Sequence, residues 1–511
     1  METAKNQANA IECVGITKRF GSVVANDHIN LSVKQGEILA LLGENGSGKT
    51  TLMNMLSGIY HQDEGAIFLH GKEVSIESPT DALDLGIGMI HQHFKLVEVF
   101  TAAENIVLGT KEKLVKPKVM REKITAICNQ FGLEVDSDKR VYDMSVSEKQ
   151  TVEILKVLYR GANILILDEP TAVLTPQETD KLFAILRKMK EKGNSIIIIT
   201  HKLNEVLEIS DRVTILRKGQ SIDTVNTAEC DVTSLTELMV GRAVSLEIDR
   251  PEYDKKEAIL KCVDLTIDSS DGTKGIEDIN FEIRTGEILG IAGVAGSGQK
   301  ELCEGIAGLL PVKKGAILYK KENIVGKKPL EIINLGISMS FVPEDRLGMG
   351  LVASMGMTDN ILLKSYKKGP GPFINRKPAK QLAAELVKKL SIVTPGIETP
   401  VRLMSGGNVQ KVLLGREIES SPNVLITAYP VRGLDINSSY TIYNLLNEQK
   451  MKNVAVIYVG EDLDVLLELC DNIMVMCHGR ITGIVNAKKA TKEQLGRLMT
   501  GQEDKEVAQS E

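Results

Sequence analysis

The feature that most constrains this sequence is an internal repeat. Residues 35–52, QGEILALLGENGSGKTTL, match residues 285–302, TGEILGIAGVAGSGQKEL. A chance glycine cluster would not bring its neighbours with it, so the repeat predicts two homologous domains. Two further matches follow in the same order and support this: residues 144–156 with 404–416, and residues 210–220 with 470–480.

The length of the chain agrees with this division. The chain has 511 residues, which is too long for one compact core. The repeat predicts one domain over residues 10–243 and a second over 257–501. The charged segment 244–256 has no apolar periodicity and is predicted to be a linker, and the polar tail 502–511 is expected to fray.

Composition excludes several classes of function. The net charge of −6 argues against a dedicated nucleic-acid-binding protein, which usually carries a basic excess. No apolar run approaches the roughly 18 residues of a membrane span. The N-terminus lacks the apolar core of a signal peptide, so we expect the protein to stay in the cytoplasm.

The seven cysteines contain no C-x-x-C pair, which is typical of reduced thiols. Cys470, Cys477 and His478 come nearest to a cluster, and core packing is favoured over metal ligation because cysteine is usually buried.

Each copy follows one order of predicted elements. A strand leads to a glycine loop and a helix, a largely helical middle follows, and then come a buried strand, a helix and another apolar strand. This alternation predicts an α/β fold in which a mostly parallel sheet carries helices on its faces, with a helical subdomain inserted.

The first glycine loop fits a phosphate-binding loop at every defined position. GENGSGKT, residues 43–50, matches G-x-x-x-x-G-K-[ST], in which the lysine reaches the β- and γ-phosphates and the hydroxyl binds Mg²⁺. Lys49 and Thr50 are therefore assigned these roles. The predicted nucleotide-binding residues of this loop are Gly43, Asn45, Gly46, Ser47, Gly48, Lys49, Thr50 and Thr51.

Two carboxylates follow the strand ILILD in the first copy. Asp168 is assigned to the Mg²⁺ side, and Glu169 is placed to polarise the attacking water. The spacing of a phosphate loop and a later acidic strand end predicts nucleotide hydrolysis.

The order of the motifs resembles an ATP-binding cassette (ABC) ATPase over about residues 10–500. The glycine loop is followed by HQ, a signature of the form S-x-x-E/N, LDEP and TH. The resemblance implies ATP and Mg²⁺ as ligands. It also implies that Gln92 senses the γ-phosphate and the membrane partner and contacts the metal, and that His201 is a further γ-phosphate contact. Phe20 occupies the position at which the family stacks an aromatic ring on adenine, although core packing fits Phe20 equally well.

The second copy lacks the chemistry of the first. Gln299 and Lys300 replace the lysine and the hydroxyl residue of the loop, and no aromatic residue near 267–272 matches Phe20. A site with these losses has little left to stabilise phosphoryl transfer. The other replacements are Ala428 for Asp168, Tyr429 for Glu169, Glu461 for His201 and Glu344 for Gln92.

The signature shows the opposite pattern. The second copy has Ser405, Gly406, Gly407 and Asn408, close to the S-G-G-Q of the family, whereas the first has Ser145, Val146, Ser147 and Glu148. Asp435 in the second copy likewise corresponds to Thr175 in the first. If the two domains sandwich ATP head-to-tail, all intact elements fall on one composite site and all degraded elements on the other. The sequence thus predicts one working site, whose second-domain members are Ser405, Gly406, Gly407, Asn408 and Asp435.

Fused tandem cassettes of this kind resemble the ATPase subunit of bacterial importers for simple sugars or nucleosides, and the motifs favour the nucleoside branch. The resemblance implies two transmembrane permease subunits and an extracytoplasmic solute-binding lipoprotein as partners, a place at the cytoplasmic face of the membrane, and no nucleic acid. The alternatives are a soluble tandem cassette protein that acts on ribosomes and a non-catalytic nucleotide sensor. The basic run 111–123 fits a solvated helix face better than a lipid or nucleic-acid patch.

Overall fold

In a computed structural model the chain divides into two units, Met1–Ser245 and Leu246–Glu511. The described residues are 8–92, 94–110, 116–242, 247–252, 257–269, 275–341, 347, 350–366 and 373–502. No helix in the described part of the chain is long and apolar enough to cross a membrane.

The first unit contains ten strands and eight α-helices within its described residues. A four-stranded antiparallel sheet has the order β2-β1-β4-β5, and a six-stranded sheet has the order β10-β9-β3-β8-β7-β6. The strands are β1 (Asn9–Phe20), β2 (Val23–Lys34), β3 (Ile38–Leu42), β4 (Glu64–Leu69), β5 (Lys72–Val74), β6 (Ile87–Ile90), β7 (Ile164–Asp168), β8 (Ser195–Ile199), β9 (Arg212–Arg217) and β10 (Gln220–Asn226). The helices are α1 (Lys49–Leu56), α2 (Pro79–Asp84), α3 (Ala102–Val107), α4 (Pro117–Phe131), α5 (Val146–Tyr159), α6 (Pro176–Glu191), α7 (Leu203–Ile209) and α8 (Val232–Val240).

The centre of the six-stranded sheet is parallel and buried. β3 pairs in parallel with β8 and β9, and β7 pairs in parallel with β8 and β6. Every residue of β3 and β8 is buried, as expected where helices cover both faces of a parallel sheet. Each fully buried Leu or Ile side chain contributes about 1.5–3 kcal/mol to the free energy of unfolding. The uninterrupted apolar runs of these strands therefore fix the core that carries the site.

The second unit repeats this order. Its sheets run β12-β11-β14-β15 and β16-β17-β18-β13-β19-β20. The strands are β11 (Ala258–Ile267), β12 (Ile276–Arg284), β13 (Ile288–Gly293), β14 (Lys314–Tyr319), β15 (Glu322–Asn323), β16 (Ile337–Phe341), β17 (Val424–Ala428), β18 (Ala455–Val459), β19 (Asn472–Cys477) and β20 (Arg480–Asn486). The helices are α9 (Gln299–Ile306), α10 (Pro329–Asn334), α11 (Met357–Leu362), α12 (Lys377–Lys389), α13 (Gly406–Ile418), α14 (Ile436–Met451), α15 (Leu463–Leu469) and α16 (Lys492–Met499).

The predicted fold class is confirmed by these sheets, in which parallel centres carry helices in both units. In the first unit, the helical subdomain predicted between the two buried strands consists of α3, α4 and α5, which pack on one another and share a core with β7 and β8.

Part of the predicted linker packs on the second unit. Ile248 lies against the core of that unit. Asn447 Nδ2 donates to the Asp249 carbonyl at 3.0 Å, and Lys450 Nζ donates to the Pro251 carbonyl at 2.8 Å. Side chains of the second domain therefore hold residues 247–252 through hydrogen bonds to their backbone carbonyls, which the absence of apolar periodicity did not predict.

Cys470 and Cys477 are buried in the second unit, at 0% and 6% exposure. Desolvation on burial raises the pKa of the Cys470 thiol, and the charge of Asp471 raises this pKa further. Both side chains therefore lie in the core, as predicted from the usual burial of cysteine.

Candidate functional site

The phosphate loop of the first unit joins the end of β3 to the start of α1. Gly48 is the N-cap of α1 with φ 96°, and a Cβ at this position would lie 2.5 Å from the Ala25 carbonyl oxygen. The loop is closed by a hydrogen bond from the Ser47 amide to the Glu44 carbonyl at 3.1 Å. Only glycine fits this left-handed, crowded position, which leaves the helix N-terminus open to an anion.

Lys49 lies inside this loop. Its Nζ donates to the Gly43 carbonyl at 2.6 Å and to the Glu44 carbonyl at 3.0 Å. Burial lowers the pKa of Lys49, and the charges of Glu169 and Asp168 oppose that shift. A largely buried ammonium group that donates to carbonyl oxygens in this way is suited to bind the phosphates of a nucleotide. The hydroxyl-bearing Thr50 that follows it is exposed.

The structure brings Glu169 together with Gln92 and His201. Gln92 Nε2 donates to Glu169 Oε2 at 2.7 Å, and His201 Nδ1 lies 3.0 Å from Glu169 Oε1. Glu169 follows β7 and has φ 46°, in the left-handed region. Adjacent parallel strands β6, β7 and β8 end at the same edge of the sheet, so residues far apart in sequence meet there.

The two carboxylates have opposite pKa shifts. Burial raises the pKa of Asp168, and the neighbouring charge of Glu169 raises it further. Burial also raises the pKa of Glu169, but the hydrogen bond and charge of His201, with the charges of Lys49 and Lys202, outweigh it and bring that pKa below its usual value. Glu169 is therefore the ionised carboxylate at neutral pH, as a group that polarises water must be. A bound cation such as Mg²⁺ would offset the burial and the charge of Glu169 that disfavour the carboxylate form of Asp168.

Phe20 is not a core residue. Its side chain is 45% exposed at the end of β1, and its ring meets that of Tyr60 edge-on at 5.3 Å between centroids. Lys18 Nζ lies 5.6 Å from the ring centroid of Phe20. The core-packing interpretation of Phe20 is therefore wrong, and the adenine-stacking assignment stays a prediction.

The second glycine loop keeps the backbone of the first. Gly298 caps α9 with φ 101°, and the Ser297 amide donates to the Val294 carbonyl at 3.0 Å. Gln299 takes the place of Lys49 and donates from Nε2 to that same carbonyl at 3.2 Å. Glu301 occupies the position of Thr51 and accepts a hydrogen bond from the Ser269 hydroxyl at 3.2 Å. The loop has thus lost the lysine at the position of Lys49, carries Lys300 one residue later, and has gained a carboxylate, while Gly298 keeps the left-handed backbone of Gly48.

The other replacements in the second unit remove the acid–base groups. Ala428 ends β17 and is buried, and Tyr429 repeats the left-handed backbone of Glu169 with φ 51°. Burial, with the charge of Glu461, raises the pKa of Tyr429 to about 12, so its hydroxyl stays neutral. Glu461, at the position of His201, is exposed. Glu344, the counterpart predicted for Gln92, lies outside the described residues.

The two signatures differ at the N-termini of their helices. Ser145 and Glu148 form a capping box at the start of α5, and Lys139 Nζ contacts Glu148 at 2.7 Å. At the start of α13, Ser405 accepts from the Asn408 amide, and Asn408 contributes an uncharged amide. A carboxylate therefore occupies the helix N-terminus of the first signature, where it would repel a phosphate, whereas the second carries no such charge.

Asp435 and Thr175 have the same local role. Each is the N-cap of the helix that follows its strand, α14 for Asp435 and α6 for Thr175. Because both residue types cap helices well, the difference between them is not by itself a sign of a lost site. The roles of Ser405, Gly406, Gly407, Asn408 and Asp435 toward nucleotide stay predictions.

A buried contact beside the site involves residues that none of the sequence motifs predicts to be functional. Thr171 and Glu205 are hydrogen-bonded in the first unit, with Lys202 against both. The signal that would have found them is their joint replacement in the second copy, where Val431, Asp462 and Val465 stand at the matching positions.

Comparison with known proteins agrees with this geometry. A family model described as ABC transporter matches residues 26–172 and 276–430. The nucleoside import ATP-binding protein NupA of Lactococcus lactis is 43% identical over 497 residues, covering 96% of this chain and 98% of the relative. The guanosine import ATP-binding protein NupO of Bacillus subtilis is 42% identical over 506 residues, covering 98% and 99%. The ribose import ATP-binding protein RbsA 1 of Rubrobacter xylanophilus is 37% identical, covering 96% and 98%.

Proposed function

This chain belongs to the ABC transporter family as an ATP-binding protein with two cassettes, and we propose that it hydrolyses ATP at one site to drive the import of nucleosides through separate permease subunits. The observation that carries the proposal is Glu169, held between Gln92 and His201 in the first unit only.

The residues of the first unit divide the work of hydrolysis. Lys49 and the loop amides bind and orient the phosphates of ATP. Thr50, Gln92 and Asp168 would hold Mg²⁺, which when bound neutralises part of the phosphate charge. Glu169, ionised and within reach of His201, polarises a water molecule for attack, and His201 orients the γ-phosphate.

We propose that the signature of the second domain completes the ATP site that Lys49 and Glu169 of the first domain form. Ser405, Gly406, Gly407 and Asn408 supply a helix N-terminus without a carboxylate, and Asp435 caps α14. Support comes from the pattern of intact and altered residues, since Glu148 would place a negative charge at the other signature.

Nucleosides are the proposed cargo, with simple sugars as the second candidate. Two relatives named for nucleoside or guanosine import are 43% and 42% identical, against 37% for one named for ribose import. An action on ribosomes is not supported, because these relatives are import proteins. A purely sensing role is opposed by the complete set of hydrolytic residues.

The partners that follow from this role are two transmembrane permease subunits and an extracytoplasmic solute-binding lipoprotein. The protein would then sit peripherally at the cytoplasmic face of the membrane, and no nucleic acid is required.

Reconstituted uptake tests the cargo. Proteoliposomes that contain this protein and its permease subunits should accumulate radiolabelled guanosine or another nucleoside when ATP is supplied on the side of this protein. Ribose should accumulate little. ATP-dependent uptake of ribose without uptake of any nucleoside would assign the transporter to sugars, and ATP hydrolysis without uptake of either would contradict a transport role for this pair.

A further inference from the structure

A buried hydrogen bond ties together the two loops that carry Glu169 and His201. Thr171, two residues after Glu169, is 1% exposed, and its Oγ1 donates to Glu205 Oε2 at 2.5 Å. Glu205 lies on α7, which begins two residues after His201. The contact therefore spans the ends of β7 and β8 directly below the candidate site.

Lys202 completes this contact. Its Nζ donates to the Thr171 carbonyl at 3.1 Å and lies 3.0 Å from Glu205 Oε1. The side chains of Lys202 and Glu205 are only 27% and 16% exposed, so the pair is shielded from water more than a surface ion pair is. We call Thr171, Lys202 and Glu205 the loop bridge.

The loop bridge has no counterpart in the second copy. Val431 and Val465 stand at the positions of Thr171 and Glu205, and both pack against the core of the second unit. Asp462 stands at the position of Lys202 and caps α15, since its carboxylate accepts from the Asp464 amide at 2.9 Å. Lys202 is the N-cap of α7 and makes no side-chain cap hydrogen bond. The first copy therefore lacks a side-chain helix cap at the position where Lys202 joins the loop bridge.

The backbone of the turn does not depend on the loop bridge. The Glu169 amide donates to the Ile199 carbonyl at 2.8 Å, and the Tyr429 amide donates to the Val459 carbonyl at 2.9 Å. The next hydrogen bond of the turn is 3.2 Å in both copies, from Ala172 to Glu169 and from Arg432 to Tyr429. An apolar pair therefore supports the same turn, so folding alone does not explain three polar residues at this place.

We propose that Thr171, Lys202 and Glu205 are positioning residues for hydrolysis, which hold Glu169 and His201 in register without touching the nucleotide. The His201 side chain is 63% exposed and its Nδ1 lies 3.0 Å from Glu169 Oε1, and the buried hydrogen bond between Thr171 and Glu205 limits how far the two loops can separate. Reacting groups must be held to within about 0.5 Å of their productive geometry. This inference rests on the proposed roles of Glu169 and His201.

The second copy supplies the substitution that tests the loop bridge. The variant T171V/K202D/E205V places in the first domain the arrangement that the second domain already folds with. In the full chain assembled with its permease, we expect an unchanged melting temperature, an ATP dissociation constant within about twofold of the wild type, and a kcat reduced by about tenfold or more, since a misplacement near 1 Å costs about 10²-fold.

Two single variants keep the test decisive if the triple variant does not fold. Glu205→Gln keeps an acceptor for Thr171 but loses the charge that pairs with Lys202, so kcat should fall by less than in the triple variant. Glu208→Gln is the matched control on the same helix, where Glu208 pairs with Arg187 at 3.0 Å on the surface, and it should leave kcat unchanged.

A wild-type kcat in T171V/K202D/E205V, or in Glu205→Gln where the triple variant is unfolded, would overturn the proposal. A loss of kcat matched by an equal loss of ATP binding would also overturn it, since that describes a damaged binding site. Glu169→Gln separates the premise from the inference: activity in that variant would remove the assigned role of Glu169, whereas inactivity together with a fully active triple variant would remove only the loop bridge.

Discussion

At the residue scale, Glu169 and Tyr429 show that the same backbone can carry or lack chemistry. Both follow a buried strand with left-handed φ values, 46° and 51°, and both amides bond to the neighbouring strand. Only Glu169 has a pKa held below its usual value by His201, against the effect of burial. The turn thus has the same backbone in both copies, and the side chain decides whether it carries an ionised carboxylate.

Hydrolysis should therefore depend on Glu169 and not on Tyr429. Glu169→Gln keeps the size of the side chain and removes the ionised carboxylate, so ATPase activity should fall by about 10²- to 10⁴-fold, as for other lost general bases. Tyr429→Phe removes a neutral hydroxyl from the altered copy and should leave activity close to the wild type. Steady-state ATPase rates of the two purified variants give the comparison, and similar losses from both would contradict the one-site proposal.

At the element scale, a buried asparagine fixes the segment that follows Gln92 in the first copy and Glu344 in the second, and we call these two the glutamine-loop segments. Asn105, 1% exposed, accepts from the Val97 amide at 2.8 Å and donates to the Val97 carbonyl at 3.0 Å. Asn360 makes the same pair of contacts with Val352, at 2.8 and 3.2 Å. These segments expose apolar side chains, with Val99 at 59% and Val352 at 39%. A rigid segment that exposes apolar groups fits a protein-docking surface.

We expect the permease to dock on these segments, near residues 93–100 and 345–352, of which 93, 345–346 and 348–349 lie outside the described residues. Cysteines at positions 99 and 352 should cross-link to cysteines in the cytoplasmic loops of the permease. Cys128 and Cys230, the two native cysteines that are not buried, are replaced by serine for this experiment.

Lys118→Cys on α4 is the matched control for this cross-linking, because it is exposed and belongs to the basic run 111–123, of which residues 111–115 lie outside the described residues. It should give no product. Cross-links from position 118 alone would place the permease on α4 and refute docking at the glutamine-loop segments.

At the scale of the whole molecule, the two copies have lost complementary parts. The first copy keeps its phosphate loop and carboxylates but has Glu148 in its signature helix, and the second keeps the glycines of the signature but has Gln299 and Tyr429. Random decay of one domain would not spare one of its motifs while altering the matching motif of the other. The proposed ATP site, shared between the two domains, would account for this pattern.

A change in the second domain should therefore stop hydrolysis that the first domain performs. Gly407→Asp adds a carboxylate at the signature, which repels the γ-phosphate, and its Cβ would approach a Leu434 methyl group at 3.2 Å. We expect ATPase activity to be lost in the assembled transporter, with thermal melting as the check on folding. Ser147→Asp, the matching change in the first domain, should leave activity within a few-fold, and the reverse result would refute the head-to-tail pairing.

Sequence alone determined the two-domain organisation, the α/β class and the family, because these depend on local patterns that repeat. Gly46 and Gly48 permit the left-handed backbone of the loop, and the short β-branched apolar runs at 164–168 and 195–199 favour buried strands. The sequence therefore predicts the nucleotide-site roles of Lys49, Asp168 and Glu169 without knowledge of their contacts.

Only the tertiary structure decided which side chains meet. The order β8-β7-β6 places Gln92 and His201 on either side of Glu169 and joins Thr171 to Glu205. Elsewhere in the fold, Phe20 is exposed beside Tyr60, and residues 247–252 pack on the second domain. Sequence periodicity reports which face of an element is buried, but not which element lies across from it. Contacts between side chains on different strands depend on strand order and helix placement, and these are settled by the packing of the whole domain.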